Sequence, residues 1–583
     1  MPITNPIKKV KEIIDTALGS EKKDISIDES DKTTLKKLKN RIDEAEKIHK
    51  QKINYWENNL KFFDGDHWSV AKVSLPTYKA NIVINKYFAA VRSLVAIETD
   101  AKPDPEVEAN VEPDTKNIEK IIKAAAKVES ELDYLWDINE VPIKLSEIYF
   151  DRYIFDDGWG WYFWNFEKDD VDFEQLKPQE IMFAPGATSV DDAEYVIIKK
   201  WRNKKWFKKY FPDFIDKIKF TGIEETSPIT NLKIVQGREN YALVYHYFED
   251  DVWVIATKEE ILDKSQNRFW EWRTEEEQRD EYKEKFEAEL PPFWKPVRNH
   301  LRKPEKPIIQ FKGYHLGGEL YSRSLLKQAK GLNIAINKRK CQIQDNADAI
   351  GNPQRILDPS VPKEMADLIT SEPGLKIRIN PALYQQFPGT PLPQFIFDDL
   401  LHSEQKFDDI VGHHEISRGA KFRKQTAREA ILLREADITP SRLLYRNAEA
   451  AMTRILNGWV QLMKLFYNEP HYIGKFGSSF SREAAGEFLI RDEIPDNLSI
   501  MIKVGSTLPV SRETKRAEWL QLVARGLMDL VTFYELMGYP NPEKIARRVL
   551  NWRMGVIGEQ EVMPMPIKPP TKESLGGLRG ATE

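Results

Sequence analysis

Between Glu319 and Phe466, apolar residues recur at helical spacing in three long stretches. In the first, Leu325, Ala329, Leu332, Ile336, Ile343, Ala347 and Ile350 follow steps of three, four or seven, which keeps one apolar stripe on one face of a helix. A segment from Gly351 to Pro393 then interrupts the pattern with Pro353, Pro359, Pro362, Pro373, Gly374, Pro381, Pro388, Gly389 and Pro391. The second stretch starts at once, with Phe397, Leu400, Leu401, Phe407, Ile410 and Val411. After the basic run Arg418-Gly419-Ala420-Lys421-Phe422-Arg423-Lys424, a third helical pattern continues to Phe466, and Pro440 predicts a bend in it. Two helices returning past a compact insert predict a stalk with a small head at its tip. The basic loop falls at the opposite end, where Gly419 would allow a tight turn.

Elsewhere the spacing predicts helices over about Thr33–Phe62, Val83–Thr99, Thr115–Trp136 and Pro142–Ile154. The run Trp159, Trp161, Tyr162, Phe163, Trp164, Phe166 follows a turn at Asp156-Asp157-Gly158 and predicts a strand. Base-stacking surfaces interleave aromatics with Lys and Arg. The neighbours here are Glu167, Asp169, Asp170 and Asp172, so this run is expected in a core or subunit interface. Strands are expected at Tyr241–Phe248, Pro307–Phe311, Phe488–Ile490 and Leu498–Val504, an exposed helix over Gln266–Leu290, and helices over Arg512–Met537 and Pro542–Trp552. The ends, residues 1–30 and the Pro- and Gly-rich stretch from Met563, are too poor in core formers to fold and are expected to be mobile.

Composition narrows the function classes. At 583 residues the chain exceeds what one core serves, so two to four lobes are expected. A net charge of −5 argues against a protein that grips a duplex with its whole surface. Cys341 is the single cysteine, which excludes an intrachain disulfide and a cysteine metal cluster; it reads as a packed small side chain. No apolar run is long enough to span a membrane, and the N-terminus lacks the apolar core of a signal peptide, so the chain is expected in a cytoplasm. No GxxxxGK[ST] loop and no HExxH motif occur. His413-His414-Glu415 cannot converge from adjacent helix positions. Pro212-Asp213 and Glu281-Tyr282-Lys283 echo a nuclease pattern only loosely. The pairs Asp156-Asp157, Asp191-Asp192, Asp398-Asp399 and Asp408-Asp409 read as solvated turns or helix faces before they read as divalent-ion sites. No cofactor, metal or catalytic residue is expected.

Charge divides the stalk. From Glu319 to Asp345 there are six basic residues against two acids, and from Ile396 to Glu415 six acids against one base. Opposite-sign helices attract, within a chain or between neighbouring copies.

This order of elements resembles that of the portal proteins of tailed double-stranded DNA bacteriophages. The run Asn81-Ile82-Val83-Ile84-Asn85-Lys86 before a helix, Pro178-Gln179-Glu180-Ile181 leading to Ala184-Pro185-Gly186-Ala187, and Val504-Gly505-Ser506-Thr507-Leu508-Pro509 carry the resemblance with the stalk. It implies a mainly helical α+β subunit. Its regions would be a mobile arm (1–30), a wing (31–318 and 468–510), a stem (319–350 and 395–417), a clip (351–394), a tunnel loop (418–428), a long kinked helix (429–467), crown helices (511–555) and a disordered tail (556–583). It implies a non-enzymatic ring, expected to hold twelve copies, at one capsid vertex of the virion. Double-stranded DNA would enter and leave through the ring. The partners would be the terminase large subunit, a head–tail adaptor, and capsid and scaffold proteins, with no membrane. The resemblance places Arg418, Lys421, Arg423, Lys424 and Arg428 against DNA. Asp398, Asp399, Glu404, Asp408 and Asp409 become candidates for a weakly repelling channel wall. The alternatives are a nuclease or other metal-dependent enzyme on a helical scaffold, and a scaffold protein without a pore.

Overall fold

A computed structural model describes residues 27–99, 103, 105–109, 118–165, 167–226, 233–267, 270–272, 283, 297–299, 305–369, 378, 380–387, 389–412, 441–474, 486–495, 498–502, 519–537, 542–553, 556–557 and 560–561. It is a mixed helix-and-strand chain that divides into two compact units. The larger holds residues 1–106, 139–468 and 500–508, the smaller 107–138, 469–499 and 509–583. In the larger unit the main helices are α1 (Ile27–Asp64), α2 (Lys86–Thr99), α3 (Val141–Phe155), α4 (Leu325–Gly351), α5 (Gln394–Val411) and α6 (Arg442–Phe466). Its main strands are β1 (Asp157–Asn165), β2 (Asp170–Leu176), β3 (Ile181–Phe183), β4 (Val196–Asn203), β5 (Lys233–Phe248), β6 (Val252–Ala256), β7 (Ile261–Gln266) and β8 (Ile308–Lys312).

The aromatic run is β1, the middle strand of an antiparallel sheet ordered β8-β1-β2. Side chains alternate across a strand, and here both sides are covered, which is why no polar residue breaks the run. Trp159 and Trp161 join Leu176, Ile181, Phe183, Val196 and Ile198 in one core that bridges to a second sheet. On the other side, Gly158 and Gly160 let Ile148 of α3 and Phe173 come within reach of the backbone. Further along that side Tyr162 lies on Gly458 of α6, and Trp164 stacks on Phe466 with ring centroids 4.7 Å apart. The expectation of a packed core holds.

The second sheet runs β3-β4-β5-β6-β7, with Thr221–Thr226 also paired to β5. On β4, Val196 and Ile198 face the aromatic core, while Ile197, with Tyr195 just before the strand, turns the other way, against Leu38, Ile42 and Ala45 of α1. This sheet is therefore sandwiched between the aromatic sheet and the long first helix. In the smaller unit, helix Ile118–Ile138 lies beside the strand pair His471–Tyr472 and Phe488–Leu489. Lys127 donates to the Phe488 carbonyl and the Glu493 carboxylate, and Gly474 admits the Tyr134 ring.

Several boundaries differ from the sequence expectation. The first helix starts at Ile27, inside the stretch read as a mobile arm, and the stretch read as a disordered tail opens with the strand pair Val556–Ile557 and Gln560–Glu561. Where an exposed helix over Gln266–Leu290 was expected, Trp270–Trp272 is a strand paired with Val297–Asn299; most of the remainder lies outside the described residues. The helix expected over Arg512–Met537 breaks at Gly526, whose φ of +69° ends one helical segment before Leu530–Leu536 begins. Pro440 and its bend lie outside the described residues. Among the described residues no helix is long and apolar enough to cross a membrane.

The contact between α6 and β1 gives a test of the packing. A Cβ at Gly458 would lie 2.4 Å from Tyr162 Cζ, with Tyr162 itself fully buried. Gly458→Val should cost about 1–3 kcal/mol through overpacking. Chemical denaturation of the purified variant measures it, and an unchanged midpoint would contradict this close approach.

Candidate functional site

The stalk is an antiparallel pair formed by α4 and α5, joined at the tip by a small insert. At about 1.5 Å per residue, the 27 residues of α4 span about 40 Å. Within the insert, Gln354–Leu357 pairs antiparallel with Tyr384–Phe387, and Lys363–Asp367 forms a short helix.

The base of the stalk is fixed by two buried acids. Asp156 accepts hydrogen bonds from the Ser324 backbone N–H (3.0 Å) and the Tyr55 hydroxyl (3.4 Å). Asp157 accepts from the N–H groups of Ser322 (2.8 Å) and Gly313 (3.3 Å). Burial pushes the Asp157 carboxyl up to about 6, with the Ser322 and Gly313 donors pulling the other way. The pair is not the solvated turn expected: both carboxylates are buried and clasp the chain entering the stalk. Arg323 is further tied to Tyr314 by reciprocal backbone bonds of 3.2 and 2.9 Å. With these amides committed, no helix forms over Glu319–Ser324, and α4 begins at Leu325 rather than at the expected Glu319.

Along its length, α4 carries a strap, residues 80–87, which is extended up to Asn85 and turns into α2 at Lys86. Asn333, Asn337, Cys341 and Asp345 stand four residues apart and point at it. Their side chains accept the backbone N–H groups of Tyr87 (3.2 Å), Ile84 (2.9 Å), Ile82 (3.3 Å) and Ala80 (2.7 Å) in that order. Asn333 Nδ2 also donates to the Ile84 carbonyl at 2.7 Å. The match is geometric. Four helical residues rise about 6 Å and two extended residues about 6.6 Å, so Asp345, Cys341 and Asn337 meet the alternate amides of Ala80, Ile82 and Ile84, and Asn333 takes the Tyr87 N–H three residues on, in the first turn of α2. Asn337 Nδ2 donates to His67 Nδ1 at 2.7 Å, and burial lowers the His67 pKa to about 4, so that ring stays neutral as the acceptor requires.

The strap also grips α5. Lys86 Nζ donates to the Glu404 carbonyl (3.1 Å), pairs with Asp408 (3.0 Å) and lies 5.2 Å from the Phe407 ring centroid. The opposite charges of the stalk meet within the chain: Arg339 pairs with Asp399 at 2.7 Å and Lys340 with Glu404 at 3.7 Å. Both pairs are part-exposed and each contributes about 0–1 kcal/mol. Of the five channel-wall candidates, Asp399, Glu404 and Asp408 are thus ion-paired to cations of the same chain. Asp398 is exposed and accepts from Gln394 at 3.3 Å; Asp409 is exposed. The helix closes at Gly412, in the left-handed region with φ +67°, short of the expected 417; Gly419 lies outside the described residues. The tunnel-loop residues Arg418, Lys421, Arg423, Lys424 and Arg428, like His413-His414-Glu415, lie outside the described residues.

The sequence reading missed the clasp and the ladder. Asn333, Asn337, Cys341 and Asp345 broke the apolar pattern of the helix, and Cys341 was read only as filler. The available signal was four short polar side chains at unbroken i+4 spacing, all on one side of a helix.

The larger unit is thus a sheet body carrying a two-helix stalk with a small head. Residues 39–573 match the family model described as Phage P22-like portal protein, and the chain belongs to that family. It is thus a bacteriophage portal protein, of a structural and non-enzymatic class that acts in genome packaging at the head–tail connection. No curated protein matches the chain.

The ladder is directly testable. Asn337→Leu leaves the Ile84 N–H without its acceptor inside a packed joint, at a cost of about 1–3 kcal/mol. Amide exchange at Ile84 should accelerate in the variant while exchange in β1 does not; equal protection at Ile84 would remove Asn337 from the joint.

Proposed function

We propose that copies of this chain close into a ring, expected to hold twelve, at one vertex of the capsid, and that double-stranded DNA passes through its channel during packaging and ejection. The observation that carries the reading is the family match over residues 39–573, taken with the stalk that α4 and α5 build. In this reading residues 31–318 and 468–510 form the wing, 351–394 the clip and 511–555 the crown. The clip, at the far tip of the stalk, docks the terminase large subunit and then the head–tail adaptor. The subunit takes its place in the virion among capsid and scaffold proteins.

The basic run supplies the phosphate contact. Arg418, Lys421, Arg423, Lys424 and Arg428 have no acid among them, and a ring repeats them around the bore. Should α5 face the bore, its wall repels DNA less than five carboxylates would, since three are ion-paired within the chain.

Negative-stain images of the purified chain should show rings with a central hole; a solid particle would favour a scaffold protein without a pore. For the loop, Lys421→Glu, Arg423→Glu and Lys424→Glu together should leave ring assembly intact and reduce the DNA packaged per capsid when the variant complements a portal-null phage. Full-length genomes at normal titre would take DNA contact away from the loop.

A further inference from the structure

The stalk presents two unlike flanks. On α5, Ile396, Leu400, Phe407 and Val411 are buried, whereas Phe397 is 42% and Leu401 58% exposed. Phe397, Leu401, Glu404 and Asp408 follow i, i+4, i+7, i+11 and share one side of the helix. Lys86 of the strap touches the Glu404 carbonyl and Asp408, so this is the strap side. Toward the clip, the two large apolar side chains continue the same side into solvent.

On α4 the opposite flank differs in kind. Gly331, Ala335, Lys338 and Gln342 also follow i, i+4, i+7, i+11, turned away from Asn333 and Asn337, which face the strap. Gly331, Lys338 and Gln342 are exposed, and a Cβ built at Gly331 meets nothing within 4 Å. On this flank the small residues Gly331 and Ala335 lie between the longer Lys327, Lys338 and Gln342, and we term the low stretch they leave the trough. Its exposed ionic groups are basic, Lys338 and, one turn before Gly331, Lys327. The exposed charge nearest the apolar knobs along α5 is Asp398. Since Arg339 pairs with Asp399 and Lys340 with Glu404, the knobs and the trough lie at overlapping heights of the stalk.

We infer that the knob flank receives a second copy of this chain: Phe397 and Leu401 of one stalk seat in the Gly331–Gln342 trough of the next, with Asp398 facing Lys338. The two flanks differ in shape and in charge sign, so neither complements itself and the contact is heterologous, leaving a fresh flank on each side of every pair. This inference rests on the ring reading and names the stalk surfaces that close the ring.

The test uses two variants of the full chain, each altered only at exposed positions. Phe397→Ser with Leu401→Ser removes the knobs; Gly331→Leu with Lys338→Glu fills the trough and inverts its charge. Circular dichroism and melting should match wild type for both. Size-exclusion chromatography with light scattering should give rings for wild type, and monomers for each variant alone. Mixed one to one, the variants should form heterodimers and nothing larger, because each retains one intact flank. A trough variant that dimerises by itself would mean that knobs meet knobs, overturning the heterologous contact. Wild-type rings accompanied by rings of either variant would overturn the docking surface alone. Wild-type protein that stays monomeric would overturn the ring reading and this surface together.

Discussion

The stalk stands on a problem of unpaired backbone. An extended segment laid against a helix has no sheet neighbour on that side, and an amide buried without a partner costs about 1–3 kcal/mol. Here the helix supplies what a strand would. Asn333, Asn337, Cys341 and Asp345 accept the N–H groups of Tyr87, Ile84, Ile82 and Ala80, converting a helix face into a surrogate sheet edge. The position of α2 follows, because the strap runs directly into it and Asn85 accepts the Phe88 N–H at its first turn. The setting of α5 follows as well, through Lys86.

The same economy operates where the stalk joins the body. Asp156 and Asp157 take the amides of Ser324, Ser322 and Gly313, so the chain leaves the aromatic sheet in one orientation. Behind them, Glu98 and Arg152 form a buried ion pair that also holds the Tyr153 hydroxyl at 2.7 Å. Burial pushes the Glu98 carboxyl up, and Arg152 and Tyr153 pull it partly back. Arg152 reaches the Leu444 carbonyl at 3.4 Å, linking α3 to α6. A buried ion pair contributes little net stability against an apolar substitute; its effect here is to connect three helices through one side chain.

How much of this was legible depended on whether the deciding interaction was local. The helices α1, α3 and α5, strand β1 and the insert follow from periodicity and from proline and glycine, which act over a few residues. The aromatic run was correctly assigned to a core because its acidic neighbours argued against nucleic acid. The start of α4 was misplaced because the residues that stop it, Asp156 and Asp157, lie more than 150 positions away in sequence. The end of α5 was misplaced because both Gly412 and Gly419 satisfy the local rule, and the helix already closes at Gly412. Of the candidate site, the opposite charges of the two helices were legible as an attraction. Their partners were not, since i+4 arithmetic on one helix says nothing about which residue of another it meets.

The strap lies parallel to the stalk axis, and its rungs stand crosswise to that axis. A force that pulls the tip away from the body along this direction shears all four rungs together and is shared among them. A force that lifts the strap outward meets them one at a time, beginning at the Ala80–Asp345 rung or at Tyr87–Asn333. The joint is therefore mechanically anisotropic: stiff to tension along the stalk, and easily unzipped at right angles to it.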